Sequence, residues 1–300
     1  MDQQKKTPGK ARDILCICLM VIPFLAGIAL KVLTAPASEG ITVSGSQIYF
    51  TIPMPFQALE ITESQVVSLI VLIASLGLCL YLTNGISVMP GSKRQLAAEW
   101  IVEKVEDLVN TNMGPRFLGF APFVAGILVL SALSSLSSLV GLHPPTSDIN
   151  IVAGWAILVF VLITYYKMKG GLLNYIKGFG DPIPFFAPFN VISEVATPIS
   201  MSFRHYGNVL SGVVISTMVA VALEGLSKAI LGWIPVVGNL ALLRIGLPAI
   251  LSLYFDLFSG CLQAYIFAML TMLYVSSGFP EEAWEARQQK KAARRSAKAA

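Results

Sequence analysis

The stretch Ile199-Ser-Met-Ser-Phe-Arg204-His-Tyr-Gly-Asn208-Val-Leu-Ser-Gly212-Val-Val-Ile-Ser-Thr-Met-Val-Ala-Val-Ala222 decides how this chain folds. It runs for 24 residues with Arg204 as its one fixed charge. A helix that crosses a bilayer needs about 20 predominantly apolar residues, so the stretch reads as a membrane span. An arginine inside such a span costs roughly 2.5–3.5 kcal/mol on insertion scales. Unlike lysine, it cannot escape that cost by losing its proton. A charge held at that depth points to an ion pathway or a charge gate.

Five more apolar stretches lie at 14–34, 65–86, 117–142, 149–166 and 242–277, and the one holding Arg204 extends over 190–223. The chain is 55% hydrophobic and 13% charged, with a mean hydropathy of +0.71. A soluble domain carries about 25% charged residues. The fold class is therefore an all-α polytopic membrane protein of five to six membrane helices. The last two stretches exceed an upright crossing and are expected to tilt strongly. The four cysteines, Cys16, Cys18, Cys79 and Cys261, all lie in apolar segments and read as small apolar filler.

Basic residues test this division. Lys5, Lys6, Lys10 and Arg12 precede the first stretch, whereas 35–64 holds Glu39, Glu60 and Glu63 and no Lys or Arg. Lys93, Arg94, Lys104 and Arg116 fall in 87–116, none fall in 143–150, and Lys167, Lys169 and Lys177 fall in 167–189. Six more basic residues follow residue 280. The alternation fits six crossings with both termini cytoplasmic; the host is not read from it, and a bacterial inner membrane is expected over an organelle. The loop 224–241, with Lys228, is the exception, and Glu224 offsets it. The first stretch has two readings, a retained helix or a signal peptide ending near Ala35-Pro36-Ala37.

Between the spans, Ile48-Tyr-Phe-Thr-Ile52 reads as an extended or hairpin piece. Segment 92–113 reads as an amphipathic surface helix. Ser92 with Gln95 fits a capping box, and Ile101, Val105 and Leu108 form its apolar stripe. The tail 281–300 is rich in Ala, Lys and Arg and reads as a solvated helix near anionic headgroups. Trp100, Trp155, Trp233 and Trp284 fit interfacial anchors in part.

The polar residues of the last two spans carry the chemistry. Arg204 and Asn208, four apart, share a helix face, as do Asp256 and Gln263, seven apart. Asp256 is flanked by Leu253, Phe255, Leu257 and Phe258, a setting that should raise a carboxyl's pKa and let it exchange protons near neutrality. The alternative is a static ion pair with Arg204 or Arg244. Gly207 and Gly212 expose backbone to a neighbouring helix. His205 is either a relay or a packing group. Glu194, Glu224, Ser202 and Tyr265 are candidate channel-lining groups, set against interfacial placement for the two glutamates and helix–helix hydrogen bonding for the serine. His143, in Gly141-Leu-His-Pro-Pro, reads as a surface residue. No phosphate loop, nucleophile elbow, metal cluster or cofactor motif is present, and nothing suggests nucleic-acid binding.

Residues 65–280 resemble the a subunit of the F-type ATP synthase membrane sector. Pro198-Ile-Ser-Met-Ser-Phe-Arg204-His-Tyr-Gly-Asn208 is similar to the family's Pro-x-Ser-x-x-x-Arg-Leu-Phe-Gly-Asn signature. Leu262-Gln263-Ala-Tyr265-Ile-Phe267 is similar to its Leu-Gln-Ala-x-(Ile/Val)-Phe signature. Pro145-Thr-Ser-Asp148-Ile-Asn150, Lys167-Met-Lys169-Gly170, Val88-Met-Pro-Gly-Ser and Asn112-Met-Gly resemble its loops. The resemblance implies a non-catalytic, ion-translocating stator subunit. Its last two helices would form a hairpin facing a rotating c-ring, with a b-subunit stalk, lipid and the translocated H⁺ or Na⁺ as its other partners. Arg204 would be the essential arginine. Asn208 and Gln263 would line half-channels beside it, and Asp256 would stand where the family places a histidine or glutamate in the outer half-channel. The chain departs from the pattern at Val213, where an acidic or histidine partner often stands, and at His205-Tyr206. It carries an additional stretch at 14–34. Residues 1–64 thus form an N-terminal helix and external segment, 65–280 the membrane domain and 281–300 a basic tail. The rival to this reading is a secondary transporter binding a small anion at Arg204, and an intramembrane enzyme has no nucleophile–base pair to support it.

Overall fold

The computed structural model describes residues 10–34, 45–55, 58–88, 92–180, 183–231, 243–282, 284–286 and 289. Among them six helices are long and apolar enough to cross a membrane: Ala11–Thr34, Glu63–Thr83, Pro115–Val140, Ile149–Met168, Pro184–Ile230 and Gly246–Ser277. The fold is all-α and polytopic, as the hydropathy pattern requires.

Helix α1 (Lys10–Thr34) lies along α2 (Glu63–Thr83). Two glycines permit the close approach. A Cβ on Gly27 would sit 2.7 Å from Ile70 Cδ1, and one on Gly77 would sit 3.0 Å from Met20 Cγ. An ion pair ties each end. Arg94 Nη1 and Asn84 Nδ2 both donate to Asp13 Oδ1, at 2.6 and 2.9 Å. At the other end Lys31 Nζ lies 3.0 Å from Glu63 Oε1. The expected hairpin joins the two helices on that side: β1 (Ile48–Ile52) pairs antiparallel with β2 (Leu59–Thr62), Phe50 opposite Ile61 and Ile52 opposite Leu59. His143 is no surface residue. It is half-buried there, its backbone N–H donates to Glu63 Oε1 at 3.2 Å, and its ring nitrogen Nε2 is 2.8 Å from Ser147 Oγ.

Helix α3 (Lys93–Met113) starts where Ser92 Oγ accepts from the Gln95 N–H. The box is only half made, because the Gln95 amide turns away to bond the Ser87 backbone in both directions. The buried stripe is also shifted from the expected one. Val105, Leu108, Val109 and Met113 face the core, while Ile101 is exposed beside Leu96, Trp100 and Val102.

The core lies among α3, α4 (Ala121–Leu136), α5 (Ile149–Met168) and α9 (Gly260–Ser277). Phe117, Phe120, Val124, Val159, Ile163, Phe267, Met272 and Val275 interlock there. Trp155 packs against this core rather than marking an interface. Asp148 caps α5 by accepting from the Asn150 N–H at 3.0 Å. Where the basic tail begins, Arg116 pairs with Glu281 at 2.7 Å and Glu285 at 3.1 Å and lies 5.1 Å from the Trp284 ring centre. Trp233 and residues 291–300 lie outside the described residues.

Helix α7 (Ala187–Leu231) is 45 residues long, and 224–231, expected in a loop, continue it. At about 1.5 Å per residue it is roughly twice as long as the ~30 Å hydrocarbon core is thick, so it tilts or runs partly along the membrane. Pro198 sits inside it and cannot donate to the carbonyl of Glu194, which frees that acceptor. A short α6 (Leu172–Gly178) precedes α7. Its antiparallel partner is built from α8 (Leu243–Ser252), a π-helical segment (Leu253–Ser259) and α9.

Candidate functional site

The hairpin of α7 with α8–α9 brings together polar residues more than fifty positions apart. Asn208 Nδ2 donates to Gln263 Oε1 at 2.6 Å. One turn away, His205 faces Phe267 with ring centres 5.6 Å apart, and Gly212 touches Phe255. A Cβ on Gly212 would lie 2.9 Å from the Phe255 side chain, so only glycine allows this approach. Gly207 is different: nothing lies within 4 Å of its Cβ position.

Arg204 is exposed, on the same face of α7 as Asn208. Among the described residues no carboxylate lies within ion-pair distance of it. Asp256 forms no pair with it. Asp256 is half-buried in the π-helical segment, and its Oδ2 accepts a hydrogen bond from Ser252 Oγ. The side chain of Arg244, the other partner considered for Asp256, lies outside the described residues. π-Helical turns favour functional positions because the wider turn re-aims side chains.

His205 is fully buried between Trp155 and Phe267, with Nε2 3.3 Å from Ser131 Oγ. It belongs to the packed interior, not to the exposed face that carries Arg204. Ser202 is buried too and donates to the Ile199 carbonyl at 2.8 Å. Tyr265 is exposed, two residues from the buried Gln263 and so on another face of α9. Glu224 accepts from Lys228 Nζ at 2.9 Å beside a shallow groove lined by Val221 and Gly225.

Glu194 stands in a cavity of about 540 Å³ walled by α5, α6, α7 and the end of α9. Lys167 Nζ is 3.0 Å from Glu194 Oε1, and Tyr175 OH donates to the same oxygen at 3.1 Å. Burial and the Glu194 carboxylate push the Tyr175 phenol above its ordinary pKa, so it stays a donor. Asn190, Ser193, Glu194 and Thr197 line this cavity at i, i+3, i+4 and i+7. That spacing is one face of a helix, and it continues through Met201 to Arg204 and Asn208. Lys167 was not among the candidate site residues, counting from sequence as loop charge and as part of one resembling loop. The polar spacing along 190–197 was the available signal.

Glu194 precedes Arg204 by ten residues on α7, whereas Asp256 precedes Gln263 by seven on an antiparallel partner. The two carboxylates therefore lie on opposite sides of the Asn208–Gln263 bridge.

A family model described as ATP synthase A chain matches residues 65–276. The chain is 32% identical over 237 residues to the ATP synthase subunit a of Bacillus subtilis (strain 168), covering 74% of this chain and 92% of that protein. It is 29% identical over 213 residues to ATP synthase subunit a 1 of Crocosphaera subtropica, covering 70% and 83%. It is 32% identical over 212 residues to ATP synthase subunit a of Listeria monocytogenes serovar 1/2a, covering 67% and 84%. With a hairpin that joins Asn208 to Gln263, an exposed arginine beside that bridge and a family match across every helix from α2 to α9, the chain belongs to the ATP synthase A chain family.

Proposed function

We propose that this chain is the ion-translocating stator subunit of a bacterial F-type ATP synthase. The observation that carries the reading is Arg204, exposed and without a carboxylate partner among the described residues, beside the Asn208–Gln263 bridge. A guanidinium at that depth needs a compensating anion, and here the anion comes from another subunit. A ring of small hairpin subunits, each bearing a carboxyl, supplies it. A ring carboxyl that meets Arg204 is favoured in its ionised form and releases its ion. It then reloads from the opposite side before it turns into lipid, where a bare carboxylate is very costly.

Two half-channels serve this exchange. One approaches along Glu194 and Thr197, the other along Asp256 and its Ser252 partner. Arg204 between them blocks a straight leak. The translocated ion is a proton, with Na⁺ as the alternative. A test of ATP-driven pumping with and without added Na⁺ decides between them. The subunit also meets the peripheral stalk. Arg204 lies on an open helix face rather than in an enclosed cavity, which disfavours the small-anion transporter reading.

The basic segments support a cytoplasmic side for residues 10 and 280. The fit of α1 to α2 at Gly27 and Gly77, with an ion pair at each end, supports a retained helix over a cleaved signal. Intact mass of the purified subunit tests this, because cleavage after residue 37 would remove α1.

The central test is Arg204→Ala in the assembled synthase. ATP-driven pumping is expected to vanish while assembly and ATP hydrolysis persist. Normal coupled pumping would overturn the assignment.

A further inference from the structure

Lys167 is held from three directions. Its Nζ pairs with Glu194 of α7 at 3.0 Å. Its side chain runs over Gly278, where a Cβ would lie 2.8 Å from Lys167 Cε. Its own backbone belongs to the last turn of α5. Glu194 is held as firmly, with its side chain only 11% exposed and Oε1 taking both the Lys167 ammonium and the Tyr175 hydroxyl. Among the described residues Oε2 has no hydrogen-bond partner. The missing donor at Pro198 leaves the Glu194 backbone carbonyl open on the same turn. The cavity of about 540 Å³ thus ends on a carboxylate whose second oxygen is available. The titratable groups that face it are Lys167 from α5, Tyr175 from α6 and Tyr274 from α9.

We propose that Lys167 is a positioning residue of the ion path: it fixes the charge and orientation of Glu194, which takes up the translocated cation in this inlet and hands it toward Arg204. The proposal rests on the stator reading above and deepens it. Glu194 and Arg204 are ten residues apart on one helix, about 15 Å along its axis. That distance exceeds a hydrogen bond, and the cavity spans its first turn, as far as Thr197. Met201, between them on that helix, is buried in the apolar core. The lysine at 3.0 Å, packed over Gly278, holds the charge and orientation of the Glu194 carboxylate from the cavity wall.

The test uses inverted membrane vesicles carrying the whole synthase, with ATP-driven pumping measured against the pH of the medium that bathes this inlet. Lys167→Met is expected to move the alkaline limb of the profile up by about one pH unit, the lower end for losing an opposite charge at contact. Lys167→Arg is expected to keep the wild-type profile. In a Glu194→Gln background Lys167→Met is expected to cause no further shift. A Lys167→Met profile that superimposes on wild type after scaling, or a shift that persists without Glu194, overturns the proposal. If Lys167→Met does not assemble, Tyr175→Phe is read the same way: a smaller upward shift supports the proposal and no shift overturns it. Arg204→Ala run in parallel separates the two claims. If it abolishes pumping while the Lys167 profile stays fixed, only the role of Lys167 falls. If it pumps normally, the stator reading itself fails.

Discussion

Asn208 and Gln263, fifty-five positions apart in sequence, meet at 2.6 Å across the seam between α7 and α9. Hydrogen bonds between membrane helices average only about 0.6 kcal/mol, so this contact does little for stability. Its value is positional, since it fixes the face of α7 that carries Arg204. Asn208→Ala and Gln263→Ala are each expected to leave the melting temperature of the purified complex within a few degrees of wild type. ATP-driven pumping is expected to fall by about ten- to a hundredfold, the scale for displaced groups at reacting centres. The double variant should be no worse than the worse single one.

Gly212 and Gly207 give a paired contrast. Gly212→Val places methyl groups inside the volume of Phe255, and such overpacking costs about 1–3 kcal/mol. It also pushes on the turn that holds Asp256. Thermal stability and pumping are both expected to drop. Gly207→Ala meets open space on the chain itself and is expected to leave the isolated subunit's stability unchanged. A pumping defect in Gly207→Ala with normal stability would then report on whatever rotates past that face.

His143 makes the cap at the Glu63 end sensitive to acid. Burial holds its imidazole below the ordinary value, although the neighbouring Glu63 carboxylate pulls the other way. The folded form therefore keeps it neutral, and the unfolded chain binds its proton near pH 6.5. The contribution is complete above about pH 6.5 and is lost as pH falls through that value toward the folded pKa. Melting curves of the purified subunit at pH 7.5 and 5.5 are expected to show lower stability at the acid end. His143→Gln should flatten that difference, and a slope unchanged in the variant would contradict the assignment.

The Asp13–Arg94 pair offers a charge exchange. Asp13→Ala alone strands Arg94, whose side chain is only 15% exposed. Both single alanine variants are expected to lower the yield of membrane-inserted subunit. The double exchange D13R/R94D restores opposite charges and should recover part of it. No recovery would mean that Asn84, which also bonds Asp13, carries the contact.

The six spans were legible because apolar runs of that length have few other physical outcomes. The hairpin strand Ile48–Ile52 and the Ser92 cap were legible from local chemistry. Four polar residues of the last two spans were visible one by one, yet the Asn208–Gln263 contact depends on the register between α7 and α9, which no local signal encodes. The π-helical turn at Leu253–Ser259 was hidden for a related reason, since an apolar run looks the same whether its bonds close over four residues or five. Ile101 was misplaced because the buried stripe of α3 is set by where α4 and α9 lie, which shifts it one turn onward to Val109 and Met113. His205 carried two readings, relay or packing group, and only the fold, by setting it against Ser131 and two aromatic rings, makes it the second. Lys167 hid among loop lysines, and only the fold brings it to Glu194.

Helix α1 changes the parity of the chain. With one crossing per helix, as proposed above, a core that enters at Glu63 would leave its two ends on opposite leaflets, whereas the sixth helix would return residue 10 to the leaflet of residue 280. The basic residues that precede residue 13 and those that follow residue 286 would then share one leaflet. Reporters fused at the two ends would glow or go dark together.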